Sequence, residues 1–286
     1  RHPLVIVDQD GRIVCVFVGK PDDPEWDTKV FPGAFRAMER ASRKGLKSGA
    51  LTELDRLHRR GNFLALTAGV SFGGGQKVSP SIDAFQSVSN QASGHLAHDH
   101  SGAFTYWAPK VYREYADVLR QLFEKYPGFE HNFRNSIFPA ATFNCSPDTV
   151  AAEHTDYGNN PAGWCAITSR GHFNHKRGAH LHMRQFKLLV EFPSGTSALV
   201  LSGAVNHGNT PIAADETRFS MTQYAVGGLF RWVRYSFMTA KALLAQKGGK
   251  ELRDASDGVP GSRWQWTLNL FSKFDEVAAD RHDVFA

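Results

Sequence analysis

Residues 197–226, SALVLSGAVNHGNTPIAADETRFSMTQYAV, contain two β-rich runs separated by turn-forming residues. The first run, SALVLSG, is apolar and ends in Ser and Gly, and the second is TRFSMTQYAV. Short runs of this composition, bounded by Gly, Pro, Ser or Asn, are typical of β-strands. The stretch therefore predicts two short strands with a turn-rich connection between them.

The same pattern of short β-rich runs begins at residue 138 and includes three further runs, PAATFN, GWCAITS and QFKLLVEF. Many short strands at close spacing indicate a barrel or a double-sheet jelly roll, whereas a parallel sheet would need a helix between successive strands. We therefore expect an α+β protein with a double-stranded β-helix core, of the jelly-roll or cupin-like kind, flanked by supporting helices.

The segment before this core mixes strands and helices. PLVIVD and RIVCVFVG, separated by the turn signal QDG, predict a β-hairpin. GAFRAMERASRKG predicts a helix with a glycine stop, and AFTYWAPKVYREYADVLRQLFEKYPG predicts a longer amphipathic helix interrupted by Pro109. A flexible loop is expected around residues 73–100, where GGGQKVSPS lacks the G-K-[ST] ending of a phosphate loop.

These patterns divide the chain into three regions of one compact catalytic domain. Residues 1–137 form a supporting α/β region, residues 138–237 form the β-helix core, and residues 238–286 form a C-terminal extension. In the extension we expect one more amphipathic helix, and an aromatic stretch, RWQWTLNLF, that packs back on the body.

The composition is that of a globular protein with a sizeable core. The chain has 286 residues, 42% of them hydrophobic, and has no apolar run of 18 residues, so we expect no membrane partner. Cys15, Cys145 and Cys165 are odd in number and widely spaced, which argues against a disulfide scaffold or a thiolate zinc site and favours a reducing intracellular compartment.

The net charge of +5 is modest, but the positive residues are unevenly distributed. Residues 170–187 hold five Lys or Arg and four His without an acidic residue, and DRLHRRGN at 55–62 forms a second cluster. Such runs form either solvated loops or a surface for an anionic partner.

The pattern H-x-D at His154 and Asp156, followed by His207, suggests a metal centre. Strand alternation places residues i and i+2 on one side, so both side chains of H-x-D can bind one ion. Two imidazoles and one carboxylate are the ligands of mononuclear non-haem iron(II). On its own the H-x-D motif occurs by chance in many proteins, and an ordinary surface histidine is then the default interpretation.

Arg218 and Ser220 add a second element to this pattern, because they lie two residues apart on the strand TRFSMTQY. An arginine can bind a carboxylate through two parallel hydrogen bonds, which suits the distal carboxylate of 2-oxoglutarate. The order His-x-Asp, His, Arg-x-Ser therefore predicts an iron(II) site with 2-oxoglutarate as co-substrate and O2 as oxidant.

These motifs, with GWCAITSRG, GAHLHM, FKLLVEFPSG and YAVGGLFRWV, resemble the TET/JBP class of iron(II)/2-oxoglutarate nucleic-acid dioxygenases, and within it the fungal, transposon-associated branch. The resemblance covers residues 138–237 and extends to VDQDGRIVCVFVGKPDDPEWD near the N-terminus. It implies a nuclear 5-methylcytosine dioxygenase that acts on methylated double-stranded DNA. The products expected are 5-hydroxymethylcytosine and then 5-formyl- and 5-carboxylcytosine, and we expect a monomer.

The resemblance also implies roles for individual residues. The metal ligands are His154, Asp156 and His207, and Arg218 with Ser220 binds 2-oxoglutarate. Two more residues are assigned to the co-substrate: Asn144, for which a turn role is the alternative, and His180, with His182 as its rival.

The expected base contacts are Asn159, whose alternative is a turn residue, and Tyr224, which stacks on the base and for which a core position is the alternative. Where the best-known members have a base-reading histidine, this chain has Val226. That departure makes N6-methyladenine a secondary substrate hypothesis.

A target base inside a duplex must flip into the site, so we expect DNA to bind around the metal centre. The basic segment, through Arg170, Lys176 and Arg177, is expected to lie against phosphates. His95, His98 and His100 are expected in a loop at surface or DNA-facing positions, not on a metal. A protein or small-molecule hydroxylase and a non-catalytic DNA-binding module are the alternative functions.

Overall fold

The computed structural model of the protein describes residues 2–49, 51–71, 91–129 and 131–286, with the backbone alone for residues 91–95. Twelve strands occur in this described part of the chain. They are β1 (Leu4–Val7), β2 (Ile13–Gly19), β3 (Leu57–His58), β4 (Gly61–Asn62), β5 (Ala65–Gly69), β6 (Ala140–Asn144), β7 (Cys165–His172), β8 (Leu181–Met183), β9 (Leu188–Val190), β10 (Ser197–Val200), β11 (His207–Asn209) and β12 (Thr217–Tyr224).

Seven of these strands form one antiparallel sheet, in the order β1, β2, β10, β7, β12, β6 and β5. The predicted N-terminal hairpin is confirmed as β1 and β2. Because β1, β2 and β5 come from the first 137 residues, the supporting region and the predicted core build the same sheet. The main sheet therefore joins the two regions into one structural unit.

A smaller three-stranded sheet has the order β11, β8 and β9 and contributes Leu181 and Met183 to the same buried cluster as Cys165 on the main sheet. The H-x-D segment extends this small sheet, since His154 forms an antiparallel bridge with His207 on β11. Two antiparallel sheets with a shared interior form the double-sheet architecture that the sequence predicted.

The helices surround these sheets. They are α1 (Phe31–Ser48), α2 (Gln91–Trp107), α3 (Pro109–Lys125), α4 (Gly227–Arg234), α5 (Ala240–Leu244), α6 (Gly249–Asp257), α7 (Ser262–Leu270) and α8 (Val277–Phe285). None of the helices in the described ranges is long and apolar enough to cross a membrane.

Three helix predictions need correction. Helix α1 runs past Gly45 and ends at Gly49, whose φ of 73° gives the left-handed conformation that glycine adopts without strain. Pro109 separates two helices, because a proline has no N–H to donate and fits the first turn of a new helix. Residues 91–100 of the expected loop are helical, while residues 73–90 lie outside the described residues.

Helix α1 covers the outer face of the main sheet. Alternation along β12 turns Phe219 and Met221 outward, where they join Ala37 and Met38 of α1 in a buried cluster. The ring of Phe35 meets that of Phe219 edge-on at 4.7 Å between centroids. The same alternation turns Arg218 and its i+2 neighbours to the opposite, inner face.

The C-terminal extension contains three helices after residue 246, where one was expected. The aromatic stretch is helix α7, and only its C-terminal end packs on the body, through Leu268, Leu270 and Phe271. Trp264 is 67% exposed and Trp266 is 41% exposed, so the expected packing of the whole stretch is wrong for its tryptophans.

Candidate active site

Three side chains converge where the H-x-D segment meets β11. His154 Nε2 lies 3.5 Å from Asp156 Oδ1, and His207 Nε2 lies 3.9 Å from Asp156 Oδ2. One nitrogen or oxygen from each of the three residues lies within 4.8 Å of the others. The structure thus brings together the three ligands that the sequence predicted, in a group that can hold a metal ion.

Backbone carbonyls orient both imidazoles. His154 Nδ1 lies 2.7 Å from Ala152 O, and His207 Nδ1 lies 2.9 Å from Val205 O. A carbonyl only accepts, so each Nδ1 carries the proton and each Nε2 is left with a lone pair. Such a contact behind a histidine fixes the tautomer that binds a metal.

The protonation state of His154 also suits a metal ligand. Burial, reinforced by the neighbouring His207, lowers the pKa of His154 to about 4, and the positive charge of Arg60 acts in the same direction. His154 is therefore neutral at neutral pH, and a proton does not compete for Nε2. Two imidazoles and one carboxylate match the donor set of a mononuclear iron(II) centre.

Arg218 is enclosed on the inner face of the main sheet, with 1% of its surface exposed. Its Nη1 donates to Thr149 O at 3.1 Å, while its Nε is buried without a hydrogen-bond partner. Burial lowers the pKa of Arg218 to about 10, which still leaves the guanidinium charged at neutral pH. A buried cation with an unused donor is stabilised by an anion bound beside it.

A row of polar side chains crosses three strands next to Arg218. Ser220 pairs in register with Asn144 on one side and with Ser169 on the other. Asn144 Nδ2 donates to Ser220 Oγ at 2.8 Å, whereas Asn144 Oδ1 and Ser169 Oγ are buried without a partner. The hydroxyl of Ser169 and Nε of Arg218 are buried donors without an acceptor, and a carboxylate of a co-substrate such as 2-oxoglutarate would supply one.

Two residues of this region were not singled out from the sequence. Ser169 is a buried polar residue of β7. Its place in the polar row beside Arg218 follows only from its pairing with Ser220 on β12. Arg60 belongs to the basic cluster at 55–62, and its carbonyl accepts from Ala152 N at 2.7 Å, which ties the β3–β4 turn to the metal segment. The sequence showed that residues 55–62 are basic, but it did not show that they lie next to the metal segment.

The predicted base contacts lie beside one another. Asn159 forms an antiparallel bridge with Val226, and Asn159 Nδ2 donates to Ser202 Oγ at 3.0 Å. Tyr224 shares the inner face of β12 with Arg218 and is half-buried, with its hydroxyl 3.1 Å from Thr142 Oγ1. Asn159 Oδ1 therefore remains available as an acceptor, and Asn159 lies opposite Val226, which replaces the base-reading histidine of the family.

His180, the predicted co-substrate contact, lies against Thr210. The ring of His180 lies 3.0 Å from Thr210 Oγ1 through Nδ1. His182 pairs with Gly208, and alternation places it on the face of the small sheet opposite His207. The geometry thus excludes His182 as a neighbour of the metal ligands and leaves the role of His180 a prediction.

The predicted phosphate contact of Arg170 is wrong, because only 1% of Arg170 is exposed. It pairs with Phe219 on the outer face of the sheet, and its guanidinium lies 5.6 Å from the centroid of the Phe31 ring. Burial lowers the pKa of Arg170 to about 9. Lys176 and Arg177 are exposed, so their contact with phosphates stays a prediction.

The expectation for the three histidines also changes. His100 is buried on helix α2, with Nε2 2.6 Å from Thr168 Oγ1, and Gln223 Nε2 donates to its Nδ1 at 2.7 Å. It is therefore a core residue and not a surface or DNA-facing one. His98 is exposed, and the side chain of His95 lies outside the described residues.

No family profile matches the sequence, and no curated protein matches it. The structure is similar to NgTET1 in complex with 5mC DNA, at a TM-score of 0.55 and 12% identity over 79% of this chain and 77% of NgTET1. The protein has the fold of NgTET1. The double-stranded β-helix that the resemblance implied is thereby confirmed.

Two further solved structures superpose more loosely. OsALKBH1 has a TM-score of 0.38 and 14% identity over 78% of this chain and all of that chain. A prolyl-4-hydroxylase from Pseudomonas putida has a TM-score of 0.29 and 16% identity over 68% of this chain and 88% of that chain. At these scores neither comparison bears on substrate.

Proposed function

We propose that this protein is an iron(II)- and 2-oxoglutarate-dependent dioxygenase that oxidises the methyl group of 5-methylcytosine in DNA. The observation that carries the proposal is the pairing of a preorganised His154, Asp156 and His207 group with a buried, charged Arg218 on the facing sheet. The substrate class is supported by the fold shared with NgTET1, which was solved with 5mC DNA.

In this proposal His154, Asp156 and His207 would hold iron(II), and three protein ligands would leave room at the metal for 2-oxoglutarate and O2. Iron(II) would supply the oxidation by O2, in which 2-oxoglutarate is decarboxylated to succinate and carbon dioxide and the substrate C–H bond is hydroxylated, with one oxygen atom of O2 entering succinate and the other entering the hydroxyl group. Arg218 Nε and the hydroxyl of Ser220 bind the distal carboxylate, and Ser169 donates beside them. These donors are buried, so water does not compete with the carboxylate for them.

The proposed substrate contacts are Tyr224, on the inner face of the main sheet, and Asn159, in the turn that follows Asp156. The target nucleotide flips out of the duplex, at an unstacking cost of a few kcal/mol. Tyr224 stacks on the base, and Asn159 Oδ1 accepts from its exocyclic amine, because Asn159 Nδ2 already donates to Ser202. Cytosine and adenine both carry such an amine, and Val226 offers no hydrogen bond to tell them apart. N6-methyladenine is therefore a second candidate substrate.

The test uses duplexes that contain 5-methylcytosine or N6-methyladenine, incubated with protein, iron(II), ascorbate and 2-oxoglutarate. Mass spectrometry of the released nucleosides should reveal 5-hydroxymethylcytosine, followed by the formyl and carboxyl products. Succinate release without a modified nucleoside from either duplex would favour a protein or small-molecule hydroxylase. The absence of both would leave a non-catalytic DNA-binding module.

A further inference from the structure

A basic cavity lies directly beside the metal segment. It has a volume of about 530 Å³, and one wall is the turn that follows Asp156, including Tyr157 and Asn159. The other wall carries Arg231, Arg234 and Arg263 from helices α4 and α7. The described residues that line this cavity include no acidic side chain.

The three arginines differ in their partners. Arg234 forms an ion pair with Asp257 at 3.0 Å, which lies outside the cavity lining. Arg231 is exposed, and its guanidinium has neither a hydrogen bond nor an ion pair with any described residue. Burial, and then the charge of Arg234, lower the pKa of Arg263. Grouped cations that repel one another are stabilised when an anion binds between them.

Tyr157 connects this cavity to the mouth of the metal site. It is 77% exposed although it directly follows Asp156, and the guanidinium of Arg59 lies 4.8 Å from the centroid of its ring. Arg59 also donates to Thr155 O at 3.3 Å, which holds it over the metal segment. Positive charge therefore continues from Arg59 across Tyr157 to the arginine cavity.

We propose that this surface, formed by Arg59, Tyr157, Arg231 and Arg263, binds the sugar-phosphate backbone of the DNA strand that carries the target nucleotide. The inference rests on the proposed function. A DNA strand is a chain of closely spaced phosphates that must cross the mouth of the site, and guanidinium groups bind phosphate in a bidentate manner. The exposed ring of Tyr157 provides a stacking surface for an adjacent base. Phosphate binding is thus assigned to a surface other than that of Arg170.

The experiment compares Arg231→Gln/Arg263→Gln with Arg40→Gln/Lys44→Gln. Both double variants remove two positive charges, but Arg40 and Lys44 are exposed on α1, on the far side of the main sheet. Fluorescence anisotropy with a 5-methylcytosine duplex gives the dissociation constant at several salt concentrations. For the cavity variant we expect about tenfold weaker binding and a salt slope smaller by about 2, whereas the α1 variant should bind like the parent.

The outcomes separate this inference from the proposed function. Equal loss of affinity in both double variants would mean that only net charge matters, and unchanged affinity in the cavity variant would place the backbone elsewhere; either result overturns the inference. If the parent protein oxidises no methylated duplex and binds none, the proposed function itself fails. Circular dichroism melts of each variant exclude misfolding as the cause of a change.

Discussion

His154 and His207 are joined by two reciprocal backbone hydrogen bonds, from His154 N to His207 O at 3.0 Å and from His207 N to His154 O at 2.9 Å. The residues lie 53 positions apart in the chain, so this bridge, and not local sequence, sets the separation of the two imidazoles. Their ring centroids lie 4.4 Å apart. Because backbone atoms make the bridge, side-chain substitutions should remove a ligand without separating the strands.

His154→Ala and Asp156→Ala are accordingly expected to abolish metal binding while the fold is retained. Each variant removes one of three ligands. Substitution of a residue that only hydrogen-bonds a metal ligand lowers metal affinity by up to about 100-fold, so the loss of a ligand itself should exceed about 100-fold. Anaerobic calorimetric titration measures the affinity. The control is His98→Ala, which removes an exposed histidine. Parent-like iron affinity in both ligand variants would refute the site.

Substitution of Arg218 and Ser220 should weaken 2-oxoglutarate binding to different degrees. Arg218→Lys loses the planar donor pair in a buried position, so we expect about 100-fold weaker binding to the iron(II)-loaded protein. Ser220→Ala removes one neutral donor and should cause about a fivefold loss. Calorimetry without oxygen measures both, with Ser256→Ala on exposed α6 as the matched control. Unchanged binding by Arg218→Lys would locate the co-substrate elsewhere.

Val226→His should shift base choice towards 5-methylcytosine, because it places a hydrogen-bonding side chain opposite Asn159. One base-edge hydrogen-bonding pair contributes about 1–3 kcal/mol of discrimination. The ratio of oxidised 5-methylcytosine to demethylated N6-methyladenine, from duplexes mixed in one reaction, should rise at least about fivefold. Val226→Leu keeps an apolar side chain and should leave the ratio unchanged. The same ratio in both variants would show that Val226 does not face the base.

The metal-free protein should lose stability in mild acid through His100. Burial, and then the charge of Arg170, lower the pKa of His100 to about 3, while an unfolded histidine titrates near 6.5. Below about pH 6.5 the unfolded chain takes up a proton that the folded chain does not, so stability falls with pH down to about pH 3. Between pH 6.5 and 5 this amounts to about 2 kcal/mol. His154, whose pKa is about 4, adds to the same loss.

Urea unfolding at pH 7.5 and pH 5 gives the free energy of unfolding at each pH and tests whether His100 causes the loss of stability in acid. His100→Gln loses buried hydrogen bonds and should be less stable at pH 7.5 by about 1–3 kcal/mol, yet should lose less stability on acidification. The exposed variant His98→Gln should follow the parent at both pH values. An identical acid response in His100→Gln and the parent would exclude His100 as the sensitive group.

Arg170→Met should leave DNA affinity within about twofold of the parent, since a buried side chain does not reach phosphate. Replacement of a buried charge by an apolar side chain is often neutral or stabilising, so the variant should fold. Anisotropy binding curves compare it with Lys176→Gln/Arg177→Gln, which removes two exposed charges from the same segment. A large loss of affinity in Arg170→Met alone would restore the prediction made from the sequence.

Much of the fold and the metal site was predictable from the sequence because the deciding features are local. Short runs bounded by turn residues indicated the strands, and the two-residue alternation of a strand predicted that Arg218, Ser220 and Tyr224 share one face. The chemistry of two imidazoles and one carboxylate identified the metal group, and the structure brings together all three predicted ligands.

Burial and long-range pairing were decided only by the tertiary structure. Arg170 and Lys176 belong to one basic run, but Arg170 faces the helices that cover the main sheet, whereas Lys176 faces solvent. Ser169 joins the polar row because β7 pairs with β12 in one register, and a shift of one residue would turn it outward. Which face a helix covers, and which strands pair, depends on contacts distant in sequence. The composition of a single segment therefore does not determine whether its charges bind a ligand or are enclosed in the core.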